Sequence, residues 1–248
     1  MNNFESNGGV FKINGKKSTL NPKLVTDFFN PKQRVGEGGE GEVRRVDLDY
    51  TRKKIKGFVY KQFHDRFTVG KSPTECLRNI LLKWQRIQNI RDSLQENGHT
   101  GFNIPNVVRG YLSPDGKRFG LLMSDLTEGG KKRVFSFRHL YAIELIDKEK
   151  IAKIKKAILN DLQIALENNI NFYTLIDKDI KRSVKGDAAL DPWLLVVDEN
   201  GNCEIRLVDI GNYVEFLDNS NESREKIIKG NIAILEKLNS LFEQYTLF

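Results

Sequence analysis

The amino-acid sequence predicts an α+β protein, with an antiparallel sheet in its first half and mostly helices in its second half. Two observations support the sheet: apolar residues alternate with charged ones between 34 and 63, and turn sequences separate the alternating segments. A third observation supports the helices, because apolar residues recur with helical period in long segments, one of them within the first half. We therefore expect hairpins and helices rather than βαβ units.

The first hairpin is glycine-rich. Residues 36–43 read G-x-G-x-x-G-x-V, in which the fixed positions are Gly36, Gly38, Gly41 and Val43. Glycines let main-chain amides approach an anion such as a phosphate, because no Cβ atom intervenes. The segment that follows alternates instead of forming a helical stripe, which excludes the dinucleotide-binding version of the pattern. An ordinary glycine-rich surface hairpin remains the alternative to a phosphate-binding loop.

The next apolar run, from Ile55 to Phe63, carries a lysine at position 61. Strand alternation places Lys61 on the same face as Val59, among large apolar side chains. Burying a lysine is costly unless its ammonium group meets an anion. The sequence therefore marks Lys61 as a candidate anion ligand.

A long helix follows. Ser72 is its predicted N-cap, Pro73 its first residue and Glu75 the third residue of a capping box. Its apolar stripe consists of Leu77, Ile80, Leu81, Trp84, Ile87 and Leu94, and Gly98 ends it. Glu75 is the acidic residue in the first half of this helix, so it either reaches beyond the helix or only caps it.

The remaining elements follow from the same rules of alternation, helical period and capping. The predicted strands are Gly9–Ile13, Asn106–Tyr111, Arg118–Leu126, Leu194–Val197 and Glu204–Val208, the last two joined by the turn pair Asn200-Gly201. The predicted helices are Lys23–Phe29, Phe135–Ile146, a helix between the cap Asp147 and the stop at Asn168-Asn169, and Glu222–Tyr245.

Composition narrows the class of protein. The formal net charge of +7 suits an acidic partner such as ATP, but the basic residues are scattered, so nucleic acid is an unlikely partner. The sequence has no apolar run of membrane-spanning length, and its polar start gives no secretory signal. Cys76 and Cys203 lie far apart without metal-ligand spacing. A reducing compartment, the cytoplasm, is therefore the expected location.

The glycine loop, Lys61 and a later Asp209-Ile210-Gly211 together resemble the signature of the protein-kinase-like fold. The resemblance implies a bilobal architecture. The N-lobe, 1–126, would contain the antiparallel sheet and one long helix, and a reduced, mainly helical C-lobe would span 127–248. It further implies ATP under the glycine loop, Lys61 paired with the phosphates and with Glu75, and Asp209 holding Mg²⁺.

Two further segments are similar to parts of the kinase machinery. The strand that ends at residues 124–130 resembles the kinase hinge, which implies that the main chain of Asp125 and Thr127 meets the adenine. Residues 177–181 resemble the end of the catalytic loop, which implies Asp179 as the base and Lys181 as a ligand of the transferred phosphoryl group.

The catalytic-loop region also departs from the family pattern. The position of its metal-binding asparagine aligns with Leu194, which cannot bind a metal, so Asp191 or Asp187 is the candidate substitute. The alternative is that these acidic residues only solvate a charged loop. Lysines and arginines at 178, 181, 182 and 185 favour an acidic acceptor, or equally form a solvated face.

The A-P-E segment and several further helices of typical protein kinases are missing after Gly211. In this the chain resembles the small, divergent kinase-like effectors that bacteria deliver into host cells, which adds the host cytosol as an alternative location. The expected function is an ATP- and Mg²⁺-dependent kinase acting on a protein or small-molecule hydroxyl. The alternatives are a pseudokinase that binds without transfer and, ranked last, a basic nucleic-acid-binding protein.

Overall fold

The computed structural model describes residues 10–11, 34–37, 41–50, 53–64, 70–113, 116–137, 147–172 and 190–243. These described residues form an α+β structure of antiparallel sheets, three long helices and one helix of four residues. The chain divides into two compact units, Met1–Gln85 with Pro105–Gly130 and Arg86–Ile104 with Lys131–Phe248. The lobes 1–126 and 127–248 stay a prediction.

The first unit contains a six-stranded sheet in which every neighbouring pair of strands is antiparallel. Its order is β1-β5-β6-β4-β3-β2, so β4 lies in the interior of the sheet. The strands are β1 Val10–Phe11, β2 Arg34–Glu37, β3 Gly41–Tyr50, β4 Lys53–Phe63, β5 Val107–Leu112 and β6 Phe119–Ser124. The predicted hairpins are confirmed, including a strand rather than a helix after the glycine-rich turn.

Helix α1, Pro73–Glu96, begins where its cap predicts, since the Glu75 N–H donates to Ser72 Oγ at 3.2 Å. The boundary between the two units falls within this helix, after Gln85. Leu77 and Leu81 of its first half lie against the strand β5, where a Cβ atom at Gly110 would be 2.8 Å from Leu81 Cδ1. Most of the predicted stripe is buried: Leu77, Ile80, Leu81, Trp84 and Ile87.

The second unit combines helices with two small sheets. Strands β7 Arg133–Ser136, β9 Trp193–Val197 and β10 Cys203–Leu207 form an antiparallel sheet in the order β10-β9-β7, and β8 Ile170–Asn171 pairs with β11 Glu215–Phe216. The helices are α2 Lys148–Glu167, α3 Ile210–Tyr213 and α4 Asn221–Glu243. Asp147 caps α2 as predicted, accepting from the Lys150 N–H at 2.8 Å. Helices α2 and α4 pack together, and Asn231 donates to the Leu162 carbonyl.

The predicted helix Phe135–Ile146 is wrong at its start, because Arg133–Ser136 forms the strand β7. Val134 and Phe135 pair with β9, whose main chain supplies the hydrogen bonds that a helix would otherwise have made internally. On the last helix, Ile227 is buried, whereas its neighbour Ile228 is 39% exposed. Residues 138–146 and the predicted helix Lys23–Phe29 lie outside the described residues. Of the described helices, none is long and apolar enough to cross a membrane.

Candidate functional site

The first group of predicted site residues lies on the sheet of the first unit. Strands β2 and β3 flank the glycine-rich turn, and Gly36 pairs with Val43 across this hairpin. Val43 in turn lies opposite Lys61 of β4, and Lys61 lies opposite Leu121 of β6. The sheet therefore brings the last residue of the glycine motif next to the lysine in register, although they are 18 positions apart in sequence.

Lys61 is buried, with 6% of its surface exposed. Its Nζ atom lies 5.4 Å from the centroid of the Phe63 ring, which is two residues further along the same strand and therefore on the same face. An ammonium group at a buried position attracts an anion strongly, because the surroundings screen its charge weakly. Lys61 is consequently a candidate ligand for a phosphate group.

One glycine of the motif, Gly41, has a local reason to be glycine. A Cβ atom at Gly41 would lie 2.0 Å from the main-chain oxygen of Gln62 in β4. Close packing between β3 and β4 therefore requires glycine at this position, whatever the loop binds. Gly38 lies outside the described residues.

Glu75 is exposed, at the start of α1. Its main-chain N–H is the group that donates to the Ser72 side chain, which accounts for its position in the helix cap. The pairing of the Glu75 carboxylate with the buried Lys61 stays a prediction.

Asp125 organises the turn that follows β6. Its carboxylate accepts from the Thr127 N–H at 2.8 Å and from the Thr127 hydroxyl at 2.7 Å, and it lies 3.4 Å from Arg45 Nε. Asp125 is 6% exposed. Its own N–H donates to the Gly57 carbonyl, and its carbonyl accepts from the Glu128 N–H. The N–H groups of Asp125 and Thr127 are thus already engaged within the protein, so a hydrogen bond from either N–H to adenine requires an existing bond to exchange.

The predicted metal ligands Asp191 and Asp209 lie at the same end of the β9–β10 hairpin. Trp193, two residues after Asp191, pairs with Leu207, two residues before Asp209. Two further bonds close this end, because the N–H groups of Val208 and Asp209 both point to the Pro192 carbonyl, at 2.8 and 3.5 Å. Both aspartates are partly buried. The hairpin thus places Asp191 and Asp209 at its same end, and the sequence predicts that this hairpin leads into Asp209.

Asp191 and Asp209 would supply two carboxylates, which suit a hard divalent cation such as Mg²⁺. Mg²⁺ commonly binds through one or two carboxylates, with phosphate oxygens and water completing its octahedron. Within the described ranges, no group of three or more His, Cys, Asp and Glu side chains could hold an ion.

The other predicted catalytic-loop positions lie either on strand β9 or outside the described residues. Leu194, at the position of the family's asparagine, is a residue of the central strand β9 and pairs with Ser136 and Arg206. Its apolar side chain supplies no metal ligand. Asp179, Lys181 and Asp187 lie outside the described residues, so their roles stay predictions.

The sequence analysis missed Asp161, which is 3% exposed in the core of the second unit. Its carboxylate accepts from the Phe102 N–H at 2.8 Å and from Trp193 Nε1 at 2.9 Å. Burial raises the pKa of Asp161 to about 6, although both hydrogen bonds act to lower it. The sequence gives one indication that Asp161 is buried, because it lies on the apolar face of α2, three residues after Ile158 and four before Ala165.

Neither the models of known protein families nor the curated proteins contain a match to this chain.

Proposed function

We propose that this chain is a divergent kinase that transfers the γ-phosphoryl group of ATP, with Mg²⁺, to a hydroxyl of a protein or small-molecule acceptor. The observation that carries the proposal is the register of the first sheet, in which buried Lys61 lies opposite Val43, the last residue of the glycine motif. In the protein-kinase-like fold, which we propose for this chain, these are the parts that hold the phosphates.

The roles fall into two groups, each within one unit. In the first unit, the glycine-rich turn and Lys61 hold the phosphates, with Glu75 as the proposed partner of the lysine. In the second unit, Asp209 and Asp191 supply the carboxylates for Mg²⁺, whose contribution is to neutralise charge that develops on the phosphate oxygens. Transfer of this kind depends mainly on positioning and electrostatics, so a divergent loop is compatible with it.

The reaction forms one bond and breaks another. The acceptor oxygen bonds to the γ-phosphorus as the bond between that phosphorus and the β,γ-bridging oxygen breaks, and ADP leaves with that oxygen. The acceptor proton passes to a carboxylate, which we assign to Asp179. Cytoplasm, or host cytosol for a delivered effector, is the proposed location, because both hold ATP and keep cysteines reduced.

A nucleotide-binding module without transfer is the second candidate, and one observation favours it. Leu194 stands on β9 at the position of the family's metal-binding asparagine. Loss of that metal ligand lowers transfer more than binding, since the buried lysine and the glycine turn are unaffected.

Radiolabelled ATP distinguishes the two candidates. Release of γ-phosphate and self-labelling are measured with Mg²⁺ for the wild type and for Lys61→Met and Asp209→Asn. The controls are Lys71→Met and Glu199→Gln, which change exposed residues of the same units. A kinase loses roughly 100-fold or more of its rate in the first pair and keeps it in the controls. Transfer that survives in Lys61→Met and Asp209→Asn would refute the assignment, and binding without transfer in the wild type would select the second candidate.

A further inference from the structure

Asp161 lies where three segments of the second unit meet: helix α2, the loop Thr100–Asn103 and the hairpin β9–β10. Asp161 bonds to the main chain of the loop and to Trp193 of the hairpin. Its neighbour Asn160 donates to the Thr100 carbonyl at 2.6 Å. The hairpin completes the junction, because the Leu207 N–H donates to the Asn103 carbonyl at 2.9 Å.

Packing at this junction leaves little room for adjustment. The Phe172 ring meets the edges or faces of Trp193 and Phe102, with centroids 4.9 and 5.9 Å away. A Cβ atom at Gly101 would lie 2.2 Å from Ile164 Cδ1, so the loop sits directly on α2. Phe102 has a φ of 45°, a conformation that non-glycine residues adopt rarely and that its bond to Asp161 helps to hold. Trp193 is fully buried among these groups.

Trp193 links this junction to the two aspartates proposed for Mg²⁺. It follows Asp191 by two residues, and its partner in the hairpin, Leu207, precedes Asp209 by two. Between this strand pair and the two aspartates, the Val208 N–H donates to the Pro192 carbonyl and holds the two strands of the hairpin together. A shift of the Trp193 indole therefore moves the end of the hairpin that carries both carboxylates.

We propose that Asp161 is a positioning residue for the Mg²⁺ ligands, holding Asp191 and Asp209 in place through its hydrogen bond to the Trp193 indole. The metal role rests on the proposed function, whereas the effect on the hairpin end does not. Groups that orient metal ligands from behind change metal affinity strongly without touching the ion. Asp161 has this place in the fold, since it bonds to Trp193, which lies two residues from Asp191.

The test combines two readouts on Asp161→Asn, Trp193→Phe and the double variant. Asp147→Asn is the matched control, because it makes the same change on the same helix at an exposed cap where asparagine serves as well. One readout is hydrogen exchange at the Val208 amide. The other is the Mg²⁺ concentration that gives half-maximal ATP binding, compared with ATP binding in EDTA.

The proposal predicts roughly a 10- to 100-fold rise in the Mg²⁺ requirement of Asp161→Asn, with ATP binding in EDTA unchanged. Exchange at Val208 accelerates selectively, and the effect of Asp161→Asn becomes smaller in the Trp193→Phe background, since both variants remove the bond between Asp161 and the Trp193 indole. Asp147→Asn behaves as the wild type. If Asp161→Asn does not fold, the same changes in Mg²⁺ requirement and Val208 exchange are expected of Trp193→Phe.

Two results would overturn the proposal. One is an unchanged Val208 exchange rate in a folded Asp161 or Trp193 variant. The other is hydrogen exchange that accelerates equally in α4 and at Val208, while ATP binding in EDTA falls in parallel. That result would indicate a general loss of stability. If the wild type binds no ATP, the proposed function fails, and the Val208 amide alone then decides whether Asp161 positions the hairpin end.

Discussion

Replacing Asp161 by asparagine should remove one contribution to the pH dependence of the protein's stability, and the sign of that contribution follows from the structure. The wild-type carboxyl is almost completely buried between two uncharged donors, the Phe102 N–H and the Trp193 indole. Burial outweighs those bonds and raises its pKa above the ordinary value. The folded state therefore holds a proton on Asp161 at pH values where the unfolded chain has released it. An asparagine at this position does not titrate.

The magnitude follows from the two pKa values. A rise from 3.8 to about 6 corresponds to about 3 kcal/mol of free energy between the protonation states. Since the folded state binds more protons than the unfolded state between pH 4 and 6, this contribution is fully present below about pH 4. It falls as the pH rises to about 6 and is constant above that. The stability difference between wild type and Asp161→Asn should therefore grow by about 3 kcal/mol from pH 7 to pH 4.

Urea unfolding followed by far-ultraviolet circular dichroism, at half-unit steps from pH 4 to 7, measures this difference while other titrating groups cancel. Asp147→Asn provides a control of opposite sign. At the helix cap, the hydrogen bond from the Lys150 N–H lowers the pKa of Asp147. The contribution of Asp147 to stability is therefore lost as the pH falls. A difference for Asp161→Asn that is flat, or that shrinks towards pH 4, would show that the hydrogen bonds outweigh burial and would refute the reasoning.

Three further changes have clear expectations. Gly41→Ala should lower the free energy of unfolding by about 1–3 kcal/mol in urea titrations, with or without nucleotide, because its Cβ atom would overlap the Gln62 carbonyl; an unaffected stability contradicts this. Ser72→Ala should cost about 1 kcal/mol by removing the cap of α1, and Ser72→Asp should restore it. Asp198→Ala should speed hydrogen exchange in the β9–β10 hairpin at neutral pH. This effect should fade in acid, because hydrogen bonds from Asn202 hold the pKa of Asp198 below its ordinary value; an effect that grows in acid would be the wrong sign.

Local sequence signals were sufficient for the elements whose bonds are local. The hairpin β9–β10 follows from strand alternation around Asn200-Gly201, where Gly201 has a φ of 77° that favours glycine. Helix α2 follows from its stripe and from Asp147, which caps it. In both cases the hydrogen-bond partners lie within a few residues, so the pattern contains the information needed.

The sequence was insufficient where partners are distant in the chain. Val134 and Phe135 form a strand because β9, about 60 residues away, supplies the pairing. The hydrogen-bond partners of Asp161 are 59 and 32 residues away in sequence. From the sequence alone, a buried Asp161 could therefore not be distinguished from a polar residue that interrupts the apolar stripe. In the site, the motif predicts Val43 and Lys61 but gives no sign that the Thr127 N–H is bonded to Asp125.

The most direct test of the central claim is calorimetric titration of the protein with ATP, with and without Mg²⁺. Both the kinase and the binding-module readings require the buried Lys61 to hold phosphate. The account predicts binding with a dissociation constant of roughly 1 µM to 1 mM, strengthened by Mg²⁺ and weakened about tenfold or more in Lys61→Met but not in Lys71→Met. No binding by folded wild type, or equal binding by Lys61→Met, would contradict the account.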